Sequence, residues 1–241
     1  MAAPRRIAKI YASRWHLIIT IFFIVLPFAF LLAFSGFTEV ATGRLFGDLF
    51  ISSYRLLAAY IISVVLAWVF AVLFYKGKKA DVALPIFDVL QSFPTFAILP
   101  LATLFWGPSN FTVIFFLVVT VIWPILFSII SSLKLIKRDW EEAVAVAGLG
   151  GFNYIKYFLL PVTVPGLITG TIIGLGEGWE ALVATEMIAK TEHGLGNFFQ
   201  SFSLNPNITA FGILGLLILI FSVNKLIWLP LLEWSHREME E

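Results

Sequence analysis

The sequence contains no cysteine and few charged residues, and both shortages narrow the class of protein. Without cysteine the chain can form neither a disulfide nor a thiolate metal site. Charged residues make up 13% of the 241 residues, whereas a typical soluble domain carries about a quarter. Hydrophobic residues make up 60%, with 25 Phe and 8 Trp, and a water-exposed surface of this composition would aggregate. The composition therefore indicates a membrane protein.

Motifs for catalysis and for cofactor binding are also missing from the sequence. The nearest match to a phosphate-binding loop, Gly77-Lys78, lacks both the preceding glycine and the following hydroxyl residue. The histidines at 16, 193 and 236 have no partners at metal-ligand spacing, and no serine stands in a nucleophile elbow. A net charge of +1 gives no electrostatic case for nucleic acid. We predict that the chain is not an enzyme and binds no metal or cofactor.

Long apolar runs predict an all-α fold with six transmembrane helices. Helices and closed barrels satisfy the backbone in lipid, and these runs lack the alternation of barrel strands. A run of about 20 residues is enough to cross a bilayer. The runs cover residues 15–34, 51–75, 82–104, 111–133, 158–188 and 209–232. The first run is too long for a signal peptide and lacks a small-residue cleavage site, so we expect a retained helix.

The distribution of lysine and arginine predicts that both termini are cytoplasmic. With the N-terminus inside, 12 basic residues fall in cytoplasmic segments, and 4 fall outside or within spans. Cytoplasmic loops of membrane proteins carry an excess of basic residues, so this orientation is favoured over its inverse. Residues 134–157 then lie in the cytoplasm, and residues 189–207 lie on the external side.

The longest predicted cytoplasmic segment contains a short helix. Asp139 is a suitable N-cap, and Glu141 and Glu142 stand in the first turn, where the helix dipole favours acids. Alanine and valine continue the helix through 143–147. Three glycines then end it, because glycine readily adopts positive φ: Gly148, Gly150 and Gly151. From the residues alone, the helix is either a docking element for another protein or an amphipathic connector on the membrane surface.

The same segment resembles the cytoplasmic-loop signature of binding-protein-dependent ABC importer permeases. That signature is Glu-Ala-Ala, three residues, Gly, nine residues, Ile, one residue and Leu-Pro. Five residues stand at the family spacing: Glu142, Ala143, Gly148, Leu160 and Pro161. Val144 replaces the second Ala, and Phe158 replaces Ile, which are mild departures. The resemblance implies a type I permease architecture with a cytoplasmic coupling helix.

In that family the coupling helix docks into a cleft of a separate ATPase subunit, so the resemblance favours docking over a plain connector. The implied coupling residues are Glu141, Glu142, Ala143, Gly148, Leu160 and Pro161. The implied partners are a cytoplasmic ABC ATPase subunit, an external solute-binding protein, the lipid bilayer and a second copy of the chain. A dimer is expected because one coupling loop per chain must pair to engage two ATPases; a homodimer is the first expectation, and a heterodimer with a different permease chain stays open. ATP is then used by the partner subunit.

Two further regions look like the nitrate/sulfonate/taurine/bicarbonate group of these permeases. The matching stretches are Asp88 to Pro94 with Ile98 to Pro100, then Gly178-Trp179, Ala184 to Met187 and Gly194 to Gly196. The resemblance implies transport of a small anion across a bacterial or archaeal cytoplasmic membrane, without naming the anion. It covers the expected transmembrane core at 50–232, between a first part at 1–49 and a tail at 233–241.

Four polar residues within predicted spans are candidates for the translocation path or its gate: Asp88, Gln91, Glu177 and Glu180. A charge at the bilayer centre costs roughly 2.5–3.5 kcal/mol, so it normally faces protein or water. The alternatives are a structural ion pair with Lys225 and a protonated carboxyl. Because two carboxylates repel an anion, we expect Glu177 and Glu180 to make structural or gating contacts. Glu186, nearer the outer end, is expected to face water or a docked partner.

A stripe of glycines at every fourth position marks one face of the fifth predicted span. The stripe comprises Gly166, Gly170, Gly174 and Gly178. Small residues at this spacing allow close backbone approach, so we predict a tight helix contact there, with a second copy of the chain as one option. Two other functions stay open: an ion-gradient-driven transporter or channel that uses Glu177 and Glu180, and a structural subunit of another membrane complex.

Overall fold

The structure, a computed structural model, describes residues 3–38 and 40–240, and it describes side chains at 18–38 and 40–235. Within these ranges the chain forms helices and no strand, which confirms the predicted all-α fold. The helices are α1 (Ala3–Thr38), α2 (Thr42–Phe74), α3 (Gly77–Gln91), α4 (Thr95–Trp106), α5 (Asn110–Lys134), α6 (Arg138–Val146), α7 (Gly151–Tyr154), α8 (Leu160–Ala189), α9 (Leu195–Ser201), α10 (Pro206–Val223) and α11 (Leu229–Glu240). π-Helical turns at Ile155–Leu159 and Asn224–Trp228 join α7 to α8 and α10 to α11.

The predicted cytoplasmic placement of the termini stays a prediction. It depends partly on basic side chains that lie outside the described residues: Arg5, Arg6, Lys9, Arg14 and Arg237. The side chains of His16 and His236 lie outside them too, as do Met1, Ala2 and Glu241 altogether.

In the part of the chain that the structure describes, five helical segments are long and apolar enough to cross a membrane, and the α3–α4 pair makes a sixth if it counts as one span. The prediction of one helix over 82–104 is wrong, because α3 and α4 meet at 76°. Pro94 explains the break, since it has no backbone N–H and its ring disfavours helical backbone at Phe93. The Ser92 N–H still donates to the Asp88 carbonyl oxygen, at 3.2 Å, and closes the last turn of α3.

The centre of the fold is a three-helix unit of α2, α5 and α8. Leu117, Ile125 and Leu126 on α5 are fully buried. The facing side of α2 is built from small residues such as Ala59 and Ala67, which are also fully buried. Apolar burial drives helices together only weakly in lipid, so close van der Waals packing of this kind holds such a unit together.

The α1 and α10 helices pack against each other beside this unit. A second apolar cluster joins α1, α2, α9 and α10 through Phe34, Leu45, Phe198 and Ile208. Elsewhere the two helices are little enclosed by protein, since 6% of the residues in the most apolar stretch of each span are buried. Helices that are apolar all round are typical of membrane spans, and their exposed faces fit contact with lipid.

Candidate functional site

The predicted loop helix is α6, and it lies on the surface between the spans α5 and α8. It spans Arg138–Val146 and has no buried residue. Its N-cap is Lys137, whose side chain makes no capping hydrogen bond, so the prediction of Asp139 as N-cap is wrong. The helix begins two residues earlier than expected, and this places Asp139 and Glu141 in the first turn, where the helix dipole stabilises them.

The end of α6 is a Schellman motif built on Gly148. This glycine has φ +67°, a conformation that strains other residues. The Gly148 N–H donates to the Ala145 carbonyl oxygen at 3.1 Å, and the Leu149 N–H donates to the Val144 carbonyl oxygen at 3.2 Å. Val144 packs against the main core, so the motif fixes one edge of α6 on the spans while the other edge faces outward.

The two adjacent acids of α6 have different partners. Glu142 accepts a hydrogen bond from Arg138 on the same helix at 2.9 Å, and 62% of its side chain is exposed. Glu141 accepts a hydrogen bond from Lys76 at 3.0 Å, across 65 positions of sequence. Hydrogen bonds with Tyr75 and then with Glu141 raise the pKa of Lys76 above its usual value, because they favour the charged ammonium. Glu142 is therefore paired only within α6 and is the more exposed of the two acids, whereas Glu141 is held by a distant part of its own chain.

The remaining coupling residues lie beside this surface. Ala143 is exposed on α6, and Leu160, at the start of α8, is 49% exposed. Pro161 lines a cavity of about 410 Å³ together with Trp140 and Trp234. The structure thus gathers the predicted coupling residues at one end of the helical spans.

The break between α3 and α4 opens a cavity with polar groups on an exposed side of the chain. It has a volume of about 380 Å³, and Gln91, Thr95, Thr120 and Glu177 are among the residues that line it. A second cavity of about 400 Å³ shares Gln91 and Glu177 with the first and adds Asp88. Three of the four predicted path residues therefore come together at the bend. Glu180 lines neither of these cavities.

The suggested ion pair of Glu177 or Glu180 with Lys225 is wrong for the described part of the chain. Both carboxylates are exposed, and neither forms an ion pair there. Lys225 lies on the π-helical turn between α10 and α11, whereas Glu177 opens onto the cavity at the bend of α3 and α4. Among the described residues, Glu177 is thus a carboxylate without an ion pair beside a space large enough for water.

The glycine stripe packs against α5 of the same chain and not against a second copy. A Cβ atom added at Gly170 would lie 2.6 Å from the Ile125 Cα, and one added at Gly174 would lie 3.1 Å from the Val121 carbonyl oxygen. A Cβ atom at Gly166 would meet the Ser128 backbone. The glycines are thus needed for the close contact between α5 and α8.

One polar cluster was not anticipated from the sequence. Glu186 is fully buried, contrary to the expectation that it faces water or a partner, and it lies 2.6 Å from the Arg55 Nη1 atom. Its carboxylate also accepts hydrogen bonds from the Ser52 hydroxyl at 2.8 Å and from the Gly196 N–H at 2.8 Å. Arg55 donates further to the His193 carbonyl oxygen at 2.9 Å. The cluster joins α2, α8 and the start of α9.

A sequence signal for this cluster exists in the Gly194-Leu195-Gly196 stretch. Gly194 has φ +122°, and a Cβ atom there would lie 2.6 Å from the Glu186 carboxylate oxygens. A Cβ atom at Gly196 would collide with the Glu186 side chain. The two glycines therefore let the backbone come close enough to donate to a buried carboxylate. The cluster therefore forms a structural joint between α2, α8 and α9.

These features define a polytopic all-α membrane protein with an exposed helix between two spans and a polar cavity at a broken span. Residues 59–228 match the family described as binding-protein-dependent transport system inner membrane component. The match covers more than half of the chain, and the chain belongs to this family.

Relatives place the chain near one branch of the family. It is 33% identical to the nitrate import permease protein NrtB of Synechococcus elongatus over 124 residues, which cover 52% of this chain and 43% of the relative. It is 31% identical to the taurine transport system permease protein TauC of Escherichia coli over 156 residues, with coverage of 60% and 56%. It is 27% identical to the bicarbonate transport system permease protein CmpB of Synechococcus elongatus over 114 residues, with coverage of 47% and 41%.

The chain spans about half the length of the curated relatives it matches. Together, the family match and these relatives confirm the resemblance that the loop motif indicated, both to the importer permeases and to their nitrate, taurine and bicarbonate branch.

Proposed function

We propose that this chain is the membrane-spanning permease subunit of an ATP-driven importer for a small anion. An external binding protein delivers the anion, and a separate cytoplasmic ATPase drives the transport cycle. The chain contributes no catalytic residue and no cofactor of its own, and it works as a homodimer in a bacterial or archaeal cytoplasmic membrane. Family membership supports the class of transporter, and the names of the relatives support the branch of substrates.

The observation that carries this proposal is the surface of α6. The helix has no buried residue, and its Glu142 side chain forms its ion pair within the same helix. The Schellman motif at Gly148 closes the end of the helix, and Val144 packs the helix against the core of the spans. A short, exposed and firmly held helix suits insertion into the cleft of a partner subunit, because little conformational entropy is lost on docking.

The cavity at the bend of α3 and α4 is the proposed route of the anion. Gln91, Thr95 and Thr120 supply neutral hydrogen-bonding groups there, which suit brief contacts with an oxyanion. Glu177 carries charge of the wrong sign for an anion site, so we assign it to gating. The permease then offers a passage with little selectivity, and the external binding protein supplies the substrate specificity.

The test of docking is retention of the ATPase subunit on the purified chain. We expect Glu142→Lys to lower retention by about tenfold or more, because it reverses a charge on the docking surface and repels Arg138. Gly148→Asp is expected to act similarly, since its φ of +67° strains a residue with a Cβ atom and the end of α6 unravels. Quantitative co-purification measures both effects.

A matched control for this test is Glu192→Lys, a charge reversal at an exposed acid in the segment between α8 and α9. This variant is expected to retain the ATPase fully. Full retention in Glu142→Lys would contradict the assignment of α6. Uptake that survives ATP depletion and stops with a protonophore would contradict the ATP-driven mechanism itself.

A further inference from the structure

The corner between α2 and α3 touches the proposed docking helix. α2 ends at Phe74, and α3 begins at Gly77, which has φ +70°. Tyr75 anchors the corner, because it is 8% exposed and belongs to the main core cluster. The Lys76 Nζ atom lies 5.1 Å from the centroid of the Tyr75 ring and 3.0 Å from the Glu141 Oε1 atom. Lys76 therefore connects α6 to a fixed point of the core and to the first residue of α3.

The opposite end of α3 lies at the proposed route. The helix has 15 residues, so it is about 22 Å long. Its last turn carries Asp88 and Gln91, which line the two neighbouring cavities. The break at 92–94 follows directly. α3 is one continuous helix, with Pro85 in its interior, so a displacement at its Lys76 end is carried toward the cavity.

α3 is loosely held compared with the central unit. Its buried residues are Ala80 and Ala83, whereas eleven residues of α5 are buried. Leu84 and Phe87 add partly buried contacts, with the Phe87 ring against Phe74 of α2 and Trp123 of α5, but α3 still has far fewer buried residues than α5 and moves at lower cost. α3 is thus the element beside the cavity that is best able to tilt while α2, α5 and α8 stay packed.

We propose that the Lys76–Glu141 ion pair passes a displacement of α6 to α3 and thereby changes the width of the cavity at Gln91. This inference rests on the proposed function, because α6 is displaced only when an ATPase subunit pulls on it. It also gives two adjacent acids different roles, since Glu142 meets the ATPase and Glu141 transmits the movement. An exposed ion pair shifts an equilibrium by up to about fivefold, which corresponds to about 1 kcal/mol.

A single-cysteine reporter tests the inference, since the chain has no cysteine of its own. Phe93 lines the cavity at the bend and is 49% exposed, so Phe93→Cys places a reactive thiol there. The complex of chain and ATPase is labelled with a maleimide, first without nucleotide and then after trapping with ATP, Mg²⁺ and vanadate. The ratio of the two labelling rates measures the movement of the bend.

In the Phe93→Cys background, Lys76→Glu is expected to weaken the effect of trapping on the labelling rate. The ratio of the two rates then moves toward one, by a factor of up to about five. The charge swap Lys76→Glu with Glu141→Lys is expected to restore it, because the pair re-forms with reversed signs. Lys78→Glu is the matched control, a charge reversal two positions away on an exposed lysine without an ion pair in the described part of the chain. It is expected to leave the ratio unchanged.

Retention of the ATPase is measured in the same preparations and separates the two proposals. An unchanged ratio in Lys76→Glu with the ATPase bound would overturn the coupling role and leave the proposed function intact. The coupling role would also be overturned if the charge swap fails to restore the ratio, or if Lys78→Glu brings the ratio as close to one as Lys76→Glu does. A wild-type chain that retains no ATPase would overturn the proposed function and this inference together.

Discussion

Arg55 and Glu186 form a buried ion pair in which each charge depends on the other. Their side chains are 6% and 0% exposed. Removing one partner of such a pair leaves an uncompensated charge, at a cost of roughly 3–5 kcal/mol. We therefore expect Arg55→Met to lower the midpoint of thermal unfolding of the detergent-purified chain clearly. Arg138→Met is the control, because the Arg138 side chain and that of its acidic partner Glu142 are 89% and 62% exposed.

A second variant separates charge from packing at this joint. Glu186→Gln added to Arg55→Met removes the orphaned charge and keeps an oxygen that accepts from Gly196. The double variant is expected to recover part of the lost stability. A double variant no more stable than Arg55→Met would contradict the electrostatic explanation.

The contacts and positions of single residues were the least predictable feature of this molecule. Arg55 and Glu186 stand 131 positions apart, and hydropathy does not define which residues of two distant spans meet. The sequence therefore left Glu186 assigned to water or a partner. The prediction of Asp139 as N-cap failed for a more local reason. Lys137 is the N-cap, so Asp139 lies in the first turn, and the helix dipole favours an acid there as well as at the N-cap.

At the scale of elements, the glycine face of α8 is a contact that a single methyl group tests. A Cβ atom at Gly170 would lie 2.6 Å from the Ile125 Cα and 2.8 Å from the Pro124 carbonyl oxygen. Both are backbone atoms, which cannot move away unless α5 itself shifts. We expect Gly170→Ala to destabilise the chain by about 1–3 kcal/mol through overpacking. The unfolding midpoint of the purified chain measures this.

Gly176 on the same helix provides the control with the opposite sign. A Cβ atom there meets nothing within 4 Å. Gly176→Ala is expected to be neutral or to stabilise α8 by up to about 1 kcal/mol, because alanine has the higher helix propensity. Equal destabilisation by the two variants would show that helix propensity, and not the contact with α5, decides the effect.

Elements were predicted best where composition is decisive. Five spans followed from length and hydropathy, because lipid leaves few other structures for such runs. The short helix α6 and its end at Gly148 followed from local rules of helix termination. The broken span was not predicted because the residues of α3 and α4 form one apolar run. Pro94 alone does not show whether a helix kinks or breaks at that position. The partner of the glycine face was left open because spacing shows a close contact but not which helix makes it.

At the scale of the whole molecule, the described chain divides into a firmly packed unit and a looser arm. The α2, α5 and α8 helices share the main buried core, and the Arg55–Glu186 joint ties α9 to two of them. The α3–α4 arm has few buried residues and borders the polar cavity. The proposed transport cycle needs one part that holds its shape and one that moves, and this division is consistent with both.

The charge of Glu177 affects the proposed passage of an anion through the chain. Its carboxylate faces the cavity and repels an anion that passes within a few ångströms, and such repulsion amounts to about 1 kcal/mol in a wet site. Gln has nearly the same size without the charge. We therefore expect Glu177→Gln to raise the initial rate of uptake by up to about fivefold in proteoliposomes that contain the complete transporter. Glu180→Gln, which changes a carboxylate outside the cavity lining, is expected to leave the rate unchanged.

Competition between nitrate, taurine and bicarbonate in the same assay tests where specificity resides. If the external binding protein selects the anion, the order of competition is the same for Glu177→Gln and for the unaltered chain, although the rates differ. The reason is that a cavity with neutral amide and hydroxyl groups at Gln91, Thr95 and Thr120 offers similar hydrogen bonds to nitrate, to bicarbonate and to the sulfonate group of taurine. A changed order in Glu177→Gln, with the ATPase retained normally, would instead place part of the selection within the spans, and Glu177 would then be a substrate contact.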